Sequence, residues 1–340
     1  MIRIELRSNL DRPVLDEILA LIEAATEIEG HRPVGEHKYS HLAVGATGWV
    51  GVLAYEANRL VGYAHTRWNP AGRGPRMAVE VVVHPDWYSS DVARLLLWET
   101  RSVLARAGGG LLYLWVHRVD DPETTLARRL GFTVQRQLAF MTRPLDQVPA
   151  PWLPAGVELR PYRPDLDDDD FLEVNNAAFA GHPENGDWDR EEFLQRRKRD
   201  WFEPEGLLLA WRAPAGEAKP RGPAGTDQRC VGFHWTKWHA HDSDEVPAHE
   251  PVGEVYVLAV HPDEQGTGLG RALLNAGLRH LHDRGCREAV LYVDCASTGA
   301  VGLYESDGFA IAYQEVCYQE EVAPVVAHPA AEVELTRPGF

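Results

Sequence analysis

The 340-residue chain carries two copies of one sequence pattern. Asn58–Trp68 (NRLVGYAHTRW) matches Gln228–Trp238 (QRCVGFHWTKW), and His84–Asp86 matches His261–Asp263 in the same order and at nearly the same offset. A repeat of this length is a whole domain rather than one unit of a solenoid, whose period is about 20–50 residues. The sequence therefore predicts two homologous domains.

A proline-rich segment separates the two copies. Residues 143–156 hold four prolines and no apolar periodicity, as expected of a stiff linker. We expect an N-terminal domain at 1–145, a linker at 146–156 and a C-terminal domain at 157–340. Mixed strands and helices with hairpins at the edges predict the α+β class, in which each domain is a twisted mixed β-sheet flanked by helices.

Composition narrows the class of partner. Apolar residues make up 44% of the chain and charged residues 25%, as in an ordinary globular protein. The formal net charge of −17 argues against nucleic acid or an anionic membrane and favours a cationic or neutral small molecule. The four cysteines show no CxxC pairing, and we find neither a secretory signal nor an apolar run of about 18 residues. We expect a cytoplasmic monomer.

One segment of the second copy, Glu254–Leu274, combines a strand, a glycine-rich turn and an amphipathic helix. Free N–H groups and the dipole at such a helix start hold an anion. Gly266, Gly268 and Gly270 let the backbone approach a phosphate, and Arg271 adds positive charge. A Walker loop would need Gly-Lys-Ser/Thr, and the third glycine of a dinucleotide fingerprint is misplaced. The segment predicts a phosphate site, with an ordinary tight turn as the alternative.

The spacing Gln265-x-x-Gly268-x-Gly270 resembles the turn with which GNAT N-acetyltransferases bind the pyrophosphate of acetyl-CoA. The corresponding residues of the first copy, Trp87–Ala93, contain no glycine. They place Asp91 where a phosphate needs donors and positive charge. We therefore expect the N-terminal domain to have a degenerate acetyl-CoA loop and to be non-catalytic.

Four further segments resemble the mycothiol synthases of actinobacteria, a family of tandem GNAT enzymes. These segments are Val174–Trp188 (VNNAAFAGHPENGDW), Gly232–Lys237 (GFHWTK), Gly253–Val260 (GEVYVLAV) and Leu291–Asp294 (LYVD). The resemblance implies acetyl-CoA-dependent N-acetylation of the cysteinyl amine of cysteinyl-glucosaminyl-inositol. This reaction is the last step of mycothiol biosynthesis. The resemblance also implies that the amine attacks the thioester directly.

The resemblance also implies roles for individual residues. Glu254 would be the general base, and Tyr304 the acid that protonates the departing thiolate. The alternatives are a surface carboxylate at a strand end and a tyrosine packed in the core. The residues implied to contact the acceptor are Glu36, Glu184, Lys237, Glu254 and Tyr292. Those implied to contact acetyl-CoA are Leu258, Ala259, Val260, Gln265, Gly266, Thr267, Gly268, Leu269, Gly270, Arg271, Ser297, Thr298, Gly299, Ala300, Val301 and Gly302.

Three other readings stay open at this point. A tandem GNAT could acetylate another amine, such as an aminoglycoside, a polyamine or a protein N-terminus. The chain could also be a non-catalytic acetyl-CoA sensor. His239, His241 and the acids near them could hold a metal, although the pattern favours a polar loop and we expect no metal.

Overall fold

The computed structural model describes residues 1–31, 33–34, 42, 49–69, 76–180, 186–213, 228–239 and 250–325. The chain divides into two compact units. Unit 1 comprises Met1–Arg136 and Glu315–Phe340, and unit 2 comprises Gln137–Gln314. No helix in the described ranges is both long enough and apolar enough to cross a membrane.

Unit 1 is a mixed sheet with helices on both faces. Its described strands are β1 (Ile2–Arg7), β2 (Trp49–Glu56), β3 (Arg59–Asn69), β4 (Arg76–Val83), β5 (Gly110–Val119), the first residues of β6 (Thr133–Pro144) and the later residues of β12 (Ala310–Val322). Its described helices are α1 (Arg12–Glu29), α2 (Val92–Arg106) and α3 (Leu126–Arg129). The strands lie in the order β1-β2-β3-β4-β5-β12-β6, and β4 pairs with β5 in parallel. Neighbouring residues of β2 enter different cores, because Leu53 packs with α1 and Val52 packs with α2.

Unit 2 repeats this plan. Its described strands are the later residues of β6, then β7 (Val157–Pro161), β8 (Leu207–Arg212), β9 (Arg229–His239), β10 (Val252–Val260), β11 (Glu288–Asp294) and the first residues of β12. Its described helices are α4 (Asp168–Ala178), α5 (Arg190–Arg197), α6 (Leu269–Asp283) and α7 (Thr298–Ser306). The strands lie in the order β12-β6-β11-β10-β9-β8-β7, in which β10 and β11 are parallel and the other neighbours from β6 to β7 are antiparallel.

Helix α6 lies close against the sheet of unit 2. Its buried leucines recur at helical spacing, at Leu269, Leu273, Leu274, Leu278 and Leu281. Gly277 allows the approach, because a Cβ at this position would lie 2.0 Å from Nδ1 of the His234 ring on β9. His234 is fully buried, and its Nδ1–H donates to the carbonyl of Leu273 at 2.9 Å.

The last strand of each copy continues into the other unit, so the unit boundaries differ from the expected 1–145 and 157–340. Residues Gln137–Pro144 of β6 belong to unit 2, where Leu138–Pro144 pair antiparallel with β11. Residues from Glu315 onward belong to unit 1, where Val316 and Tyr318 are buried in the core under α2. The repeat defines the two copies, but strand alternation does not say which sheet a strand joins.

Strand β10 carries one residue more than its counterpart β4. The register of β10 against β9 shifts between Val255 and Val257, so Tyr256 is the extra residue of a β-bulge. β4 pairs with β3 over Arg76–Val83 without a shift. A bulge bends a strand and re-aims the side chains that follow it.

Candidate active site

Strands β10 and β11 part after three paired residues. Val252–Glu254 pair in parallel with Glu288–Val290, and the residues that follow on both strands line a cavity of about 810 Å³. Strands that part in this way leave backbone N–H and C=O groups for an extended ligand to pair with. Leu258, Ala259 and Val260, which the family resemblance implies to contact acetyl-CoA, all line this cavity.

The glycine-rich turn follows directly at the end of β10. Gln265 lines the cavity, while Gly266 and Gly268 have φ values of 77° and 87°, in the left-handed region that favours glycine. Gly268 is the N-cap of α6, and no side chain in the described part of the chain caps this helix start. Its first N–H groups and the helix dipole are therefore available to an anion.

The remaining residues of the predicted turn surround this helix start. They are Thr267, Leu269, Gly270 and Arg271. The leucine is buried under α6, whereas Arg271 is exposed and donates to the hydroxyl of Ser306 on α7 at 2.7 Å. The guanidinium therefore adds positive charge between the start of α6 and the end of α7.

The start of α7 forms another wall of the cavity. Ser297, Thr298, Gly299 and Ala300 line it, while Val301 and Gly302 follow on the same helix. Tyr304 also lines the cavity, although 92% of its surface is buried and its ring packs edge-on against Phe309. Burial raises the pKa of Tyr304 to about 12. The phenol therefore carries its proton at neutral pH and has it available for donation.

Glu254 lies one residue before the cavity wall begins, opposite Lys237 of β9 in the antiparallel register. Residues directly opposite in such a pair project from the same face. Oε2 of Glu254 accepts a hydrogen bond from Nε2 of His239 at 2.8 Å. Lys237 is 7% exposed, and its Nζ lies over the ring of Trp201 at 5.0 Å. A carboxylate and two basic side chains thus share one face of the β9–β10 pair.

Aromatic side chains border this face and the cavity. Tyr256, the bulged residue, packs against Trp201 at 4.9 Å between ring centroids, and burial raises its pKa. On β11, Tyr292 lines the cavity, is 47% exposed and packs against Phe140 at 4.9 Å. Phe140 in turn stacks on Tyr313 at 4.5 Å. These rings offer flat, partly exposed surfaces beside the cavity.

Two predicted acceptor contacts, Glu36 and Glu184, lie outside the described residues. The structure in turn adds residues that motif reasoning missed. His239 contacts Glu254, and Tyr256, Trp201 and Asp294 border the same face or cavity. The signal for His239 was in the strand alternation, because it stands two residues beyond Lys237 and therefore on the same face of β9.

Unit 1 differs from unit 2 at each of these places. Ala78 holds the register position opposite Arg67 that Glu254 holds opposite Lys237. One N–H at the start of α2 already has a partner, because that of Val92 donates to Ser90 Oγ at 3.3 Å. Asp91 adds a carboxylate at the helix N-terminus, where an anionic phosphate would be repelled.

A buried ion-pair network follows the paired residues of β4 and β5 in unit 1. Nδ1 of His117 lies 3.2 Å from a carboxylate oxygen of Glu315, and Nε2 lies 3.5 Å from one of Glu80. Burial alone would lower the pKa of His117, but the contacts with Glu315 and Glu80 outweigh it and raise the pKa to about 10. The ring is therefore a cation between two carboxylates at neutral pH.

Metal ligands do not assemble in the part of the chain that the structure describes. There, no group of three or more His, Cys, Asp or Glu side chains could hold an ion. His239 pairs with Glu254, and His241 lies outside the described residues.

Comparison with known proteins agrees with this architecture. The family model for the acetyltransferase (GNAT) family matches residues 182–309. A GCN5-related N-acetyltransferase from Sphaerobacter thermophilus superposes with a TM-score of 0.65 at 23% identity, covering 94% of this chain and 96% of that one. A tandem GNAT protein from the clavulanic acid biosynthesis pathway gives a TM-score of 0.64 at 16% identity, covering 95% and 99%. At these identities the likeness is one of fold, and it confirms the predicted tandem α+β architecture.

Relatives found by sequence share a higher identity with this chain than these two solved structures do. The mycothiol acetyltransferase of Streptosporangium roseum is 39% identical over 344 residues, covering 94% of this chain and 99% of the relative. That of Thermobispora bispora is 40% identical over 320 residues with the same coverage.

The fold, the glycine-rich turn Gln265–Arg271 (from here on the phosphate-type turn) and the cavity define an acetyltransferase of the GNAT class. With relatives of this identity and coverage, the chain belongs to the mycothiol acetyltransferase family. The family resemblance predicted from the sequence is therefore confirmed.

Proposed function

We propose that this enzyme transfers the acetyl group of acetyl-CoA to the cysteinyl amine of cysteinyl-glucosaminyl-inositol, the last step of mycothiol biosynthesis. The observation that carries the proposal is the cavity between β10 and β11, which is lined by Gln265 of the phosphate-type turn and by Val255, the residue after Glu254. Membership of the mycothiol acetyltransferase family supports this acceptor over other amines.

The phosphate-type turn suits the pyrophosphate of acetyl-CoA, and the cavity suits its pantetheine arm. The N–H groups of Gly266–Gly270 would hold the pyrophosphate, with Arg271 adding charge, and Ser297–Gly302 would flank the CoA. The backbone of Leu258–Val260 would pair with the pantetheine amides. This brings the thioester to the bulged part of β10, next to Glu254.

The reaction then needs one base and one acid. An α-amino group has a pKa of about 8, so a carboxylate such as Glu254 suffices to take its proton near neutral pH. The neutral amine attacks the thioester carbonyl carbon, a C–N bond forms and the C–S bond breaks. Tyr304 gives its proton to the departing thiolate, for which its buried and protonated phenol is suited. The phenolate then regains a proton from the nitrogen, which must lose its second proton to become an amide nitrogen. Holding both reactants for direct attack supplies much of the rate.

The pseudo-disaccharide would bind to Lys237, to Tyr292 and to the rest of the described β9–β10 face that carries Glu254. Lys237 is buried against Trp201 and pairs best with a hydroxyl or carbonyl, whereas the aromatic rings offer surfaces to the sugar faces. Glu36 and Glu184 remain predicted contacts with the cationic acceptor.

Mass spectrometry tests the proposal. The enzyme is mixed with acetyl-CoA and, in parallel, with cysteinyl-glucosaminyl-inositol, an aminoglycoside, a polyamine and a peptide with a free N-terminus. We expect an added acetyl group on the first acceptor alone. Acetylation of another amine in its place would overturn the choice of acceptor, and thioester binding without thiol release from any mixture would indicate a sensor.

A matched pair of variants tests the base. Glu254→Gln removes the carboxylate beside the cavity, and we expect at least a 100-fold lower kcat, within the usual range for general-base loss of about 10²–10⁴. Glu288→Gln changes an exposed carboxylate at the start of β11 and serves as the control. Equal activity in the two variants would exclude Glu254 as the base.

We further propose that the enzyme works in the cytoplasm as a monomer, with unit 2 as its catalytic part. None of the four cysteines, Cys230, Cys286, Cys295 and Cys317, forms a disulfide, which suits a reducing compartment. Size-exclusion chromatography with light scattering tests the monomer, for which a mass near 38.0 kDa is expected.

A further inference from the structure

Glu254 has a hydrogen-bond partner that its position beside the cavity does not require. Nε2 of His239 lies 2.8 Å from Oε2 of Glu254, and the two side chains are 11% and 17% exposed. An ionised carboxylate can only accept, so the imidazole donates its Nε2–H. Hydrogen bonds of this charge-assisted kind are short and are among the stronger ones in proteins.

This contact leaves one oxygen of Glu254 for the acceptor. Among the described residues, the hydrogen bond to Glu254 comes from His239 alone and uses Oε2, so Oε1 is the oxygen left to meet an amine. Lys237, the other basic group on this face, has its Nζ over the ring of Trp201. β9 therefore supplies Lys237 to contact the acceptor and His239 to contact the base, Glu254.

We propose that His239 is a positioning residue for Glu254, whose Nε2–H hydrogen bond holds the carboxylate in one rotamer with Oε1 turned to the amine. The inference rests on the proposed function, because it concerns the base of that reaction. The amine proton moves to Oε1, the C–N bond forms and the C–S bond breaks, and His239 keeps its own proton throughout. Its bond stabilises the ionised carboxylate and is weaker once Glu254 is protonated.

Other titratable groups face the same region and are candidates for the pH dependence. From β9 there is Lys237, from β10 Tyr256, and from α5 Arg196, whose guanidinium bonds to the Tyr256 hydroxyl. Within the described chain, only His239 contacts the carboxylate directly. Removal of the His239 side chain should therefore change the acidic limb of the activity profile, whereas removal of Lys237, Tyr256 or Arg196 should not.

The test compares His239→Ala, which removes the donor, with His239→Gln, whose amide N–H can replace Nε2–H. We expect His239→Ala to lower kcat about 10- to 100-fold, the loss that one hydrogen bond to a charged group predicts. The KM for acetyl-CoA should stay unchanged, and the acidic limb of the kcat profile should move to higher pH. His239→Gln should recover kcat to within a few-fold, and His282→Ala, an exposed histidine on α6, is the control.

Two results would overturn the inference: wild-type kcat and pH profile in His239→Ala, or equal losses in the alanine and glutamine variants. A readout without turnover separates this from failure of the proposed function. In the ¹⁵N-histidine-labelled protein, the Nε2–H resonance of His239 should shift in Glu254→Gln but not in Glu288→Gln. If this resonance does not shift in Glu254→Gln, the hydrogen bond is refuted even if the acceptor is correct. If it shifts but the enzyme shows no turnover with the acceptor, only the choice of acceptor is refuted.

Discussion

Ala78 of β4 stands at the register position that Glu254 occupies on β10. Unit 1 thus has a methyl group where unit 2 has its proposed base, and Ser90 and Asp91 occupy the helix start that would bind phosphate. We predict one strong acetyl-CoA site per chain. Isothermal titration calorimetry should give a stoichiometry near one, and two equal sites would contradict the view of unit 1 as non-catalytic.

Two glycines allow the phosphate-type turn to be tested against backbone strain. Gly266 in the turn and Gly285 beyond the end of α6 have φ values of 77° and 88°, and a Cβ at either would meet no atom within 4 Å. Alanine at each should cost about 1 kcal/mol of stability, because the left-handed region disfavours a side chain. Only Gly266→Ala should weaken acetyl-CoA binding, by about tenfold, when both are titrated calorimetrically. Equal affinities would mean that the turn does not hold the pyrophosphate.

Lys237 offers a separation of acceptor binding from acetyl-CoA binding. Its ammonium group lies on the Glu254 face of the sheet, while the proposed acetyl-CoA contacts follow further along β10. We predict that Lys237→Met raises the KM for the acceptor about tenfold or more and leaves the KM for acetyl-CoA unchanged, since one charged hydrogen bond to substrate is lost. Steady-state kinetics with each substrate varied in turn would show this. A rise in the KM for acetyl-CoA instead would assign Lys237 to the cofactor side.

Two buried histidines should make the units respond to pH in opposite directions. His117 has its pKa raised to about 10, so its contribution to the stability of unit 1 is complete below its usual pKa of 6.5 and is lost as pH rises toward 10. Burial lowers the pKa of His234 to about 4, so its contribution to unit 2 is complete above 6.5 and is lost as pH falls toward 4.

Hydrogen exchange reports on each unit separately and can check this. Between about pH 7 and about pH 9, β4 and β5 should lose protection faster in the wild type than in His117→Gln. Between about pH 7 and about pH 5, β9 should lose protection faster in the wild type than in His234→Asn, which keeps a donor for the carbonyl of Leu273. The same pH response in wild type and variant would disprove the corresponding pKa shift.

The sequence was sufficient for the features that local chemistry determines. The spacing of Gln265, Gly268 and Gly270 predicted a turn before a helix, and the repeated segments predicted the tandem architecture that the related structures confirm. Two other features depend on pairing between distant strands. The bulge at Tyr256 appears only when β10 is set against β9, and the contact of His239 with Glu254 needs the same register. A single sequence contains alternation but not register, so neither could be predicted.

The contribution of β12 to unit 1 affects how the chain folds during its synthesis. Unit 1 has Val316 and Tyr318, which follow unit 2 in the sequence, in its core. During synthesis, the first half therefore leaves the ribosome without two of its core side chains, and its core is incomplete until Tyr318 has been translated. Its α2 core stays open meanwhile, which makes the nascent N-terminal half a natural client for chaperones. A stop codon placed after the linker would yield a fragment that lacks part of its own sheet.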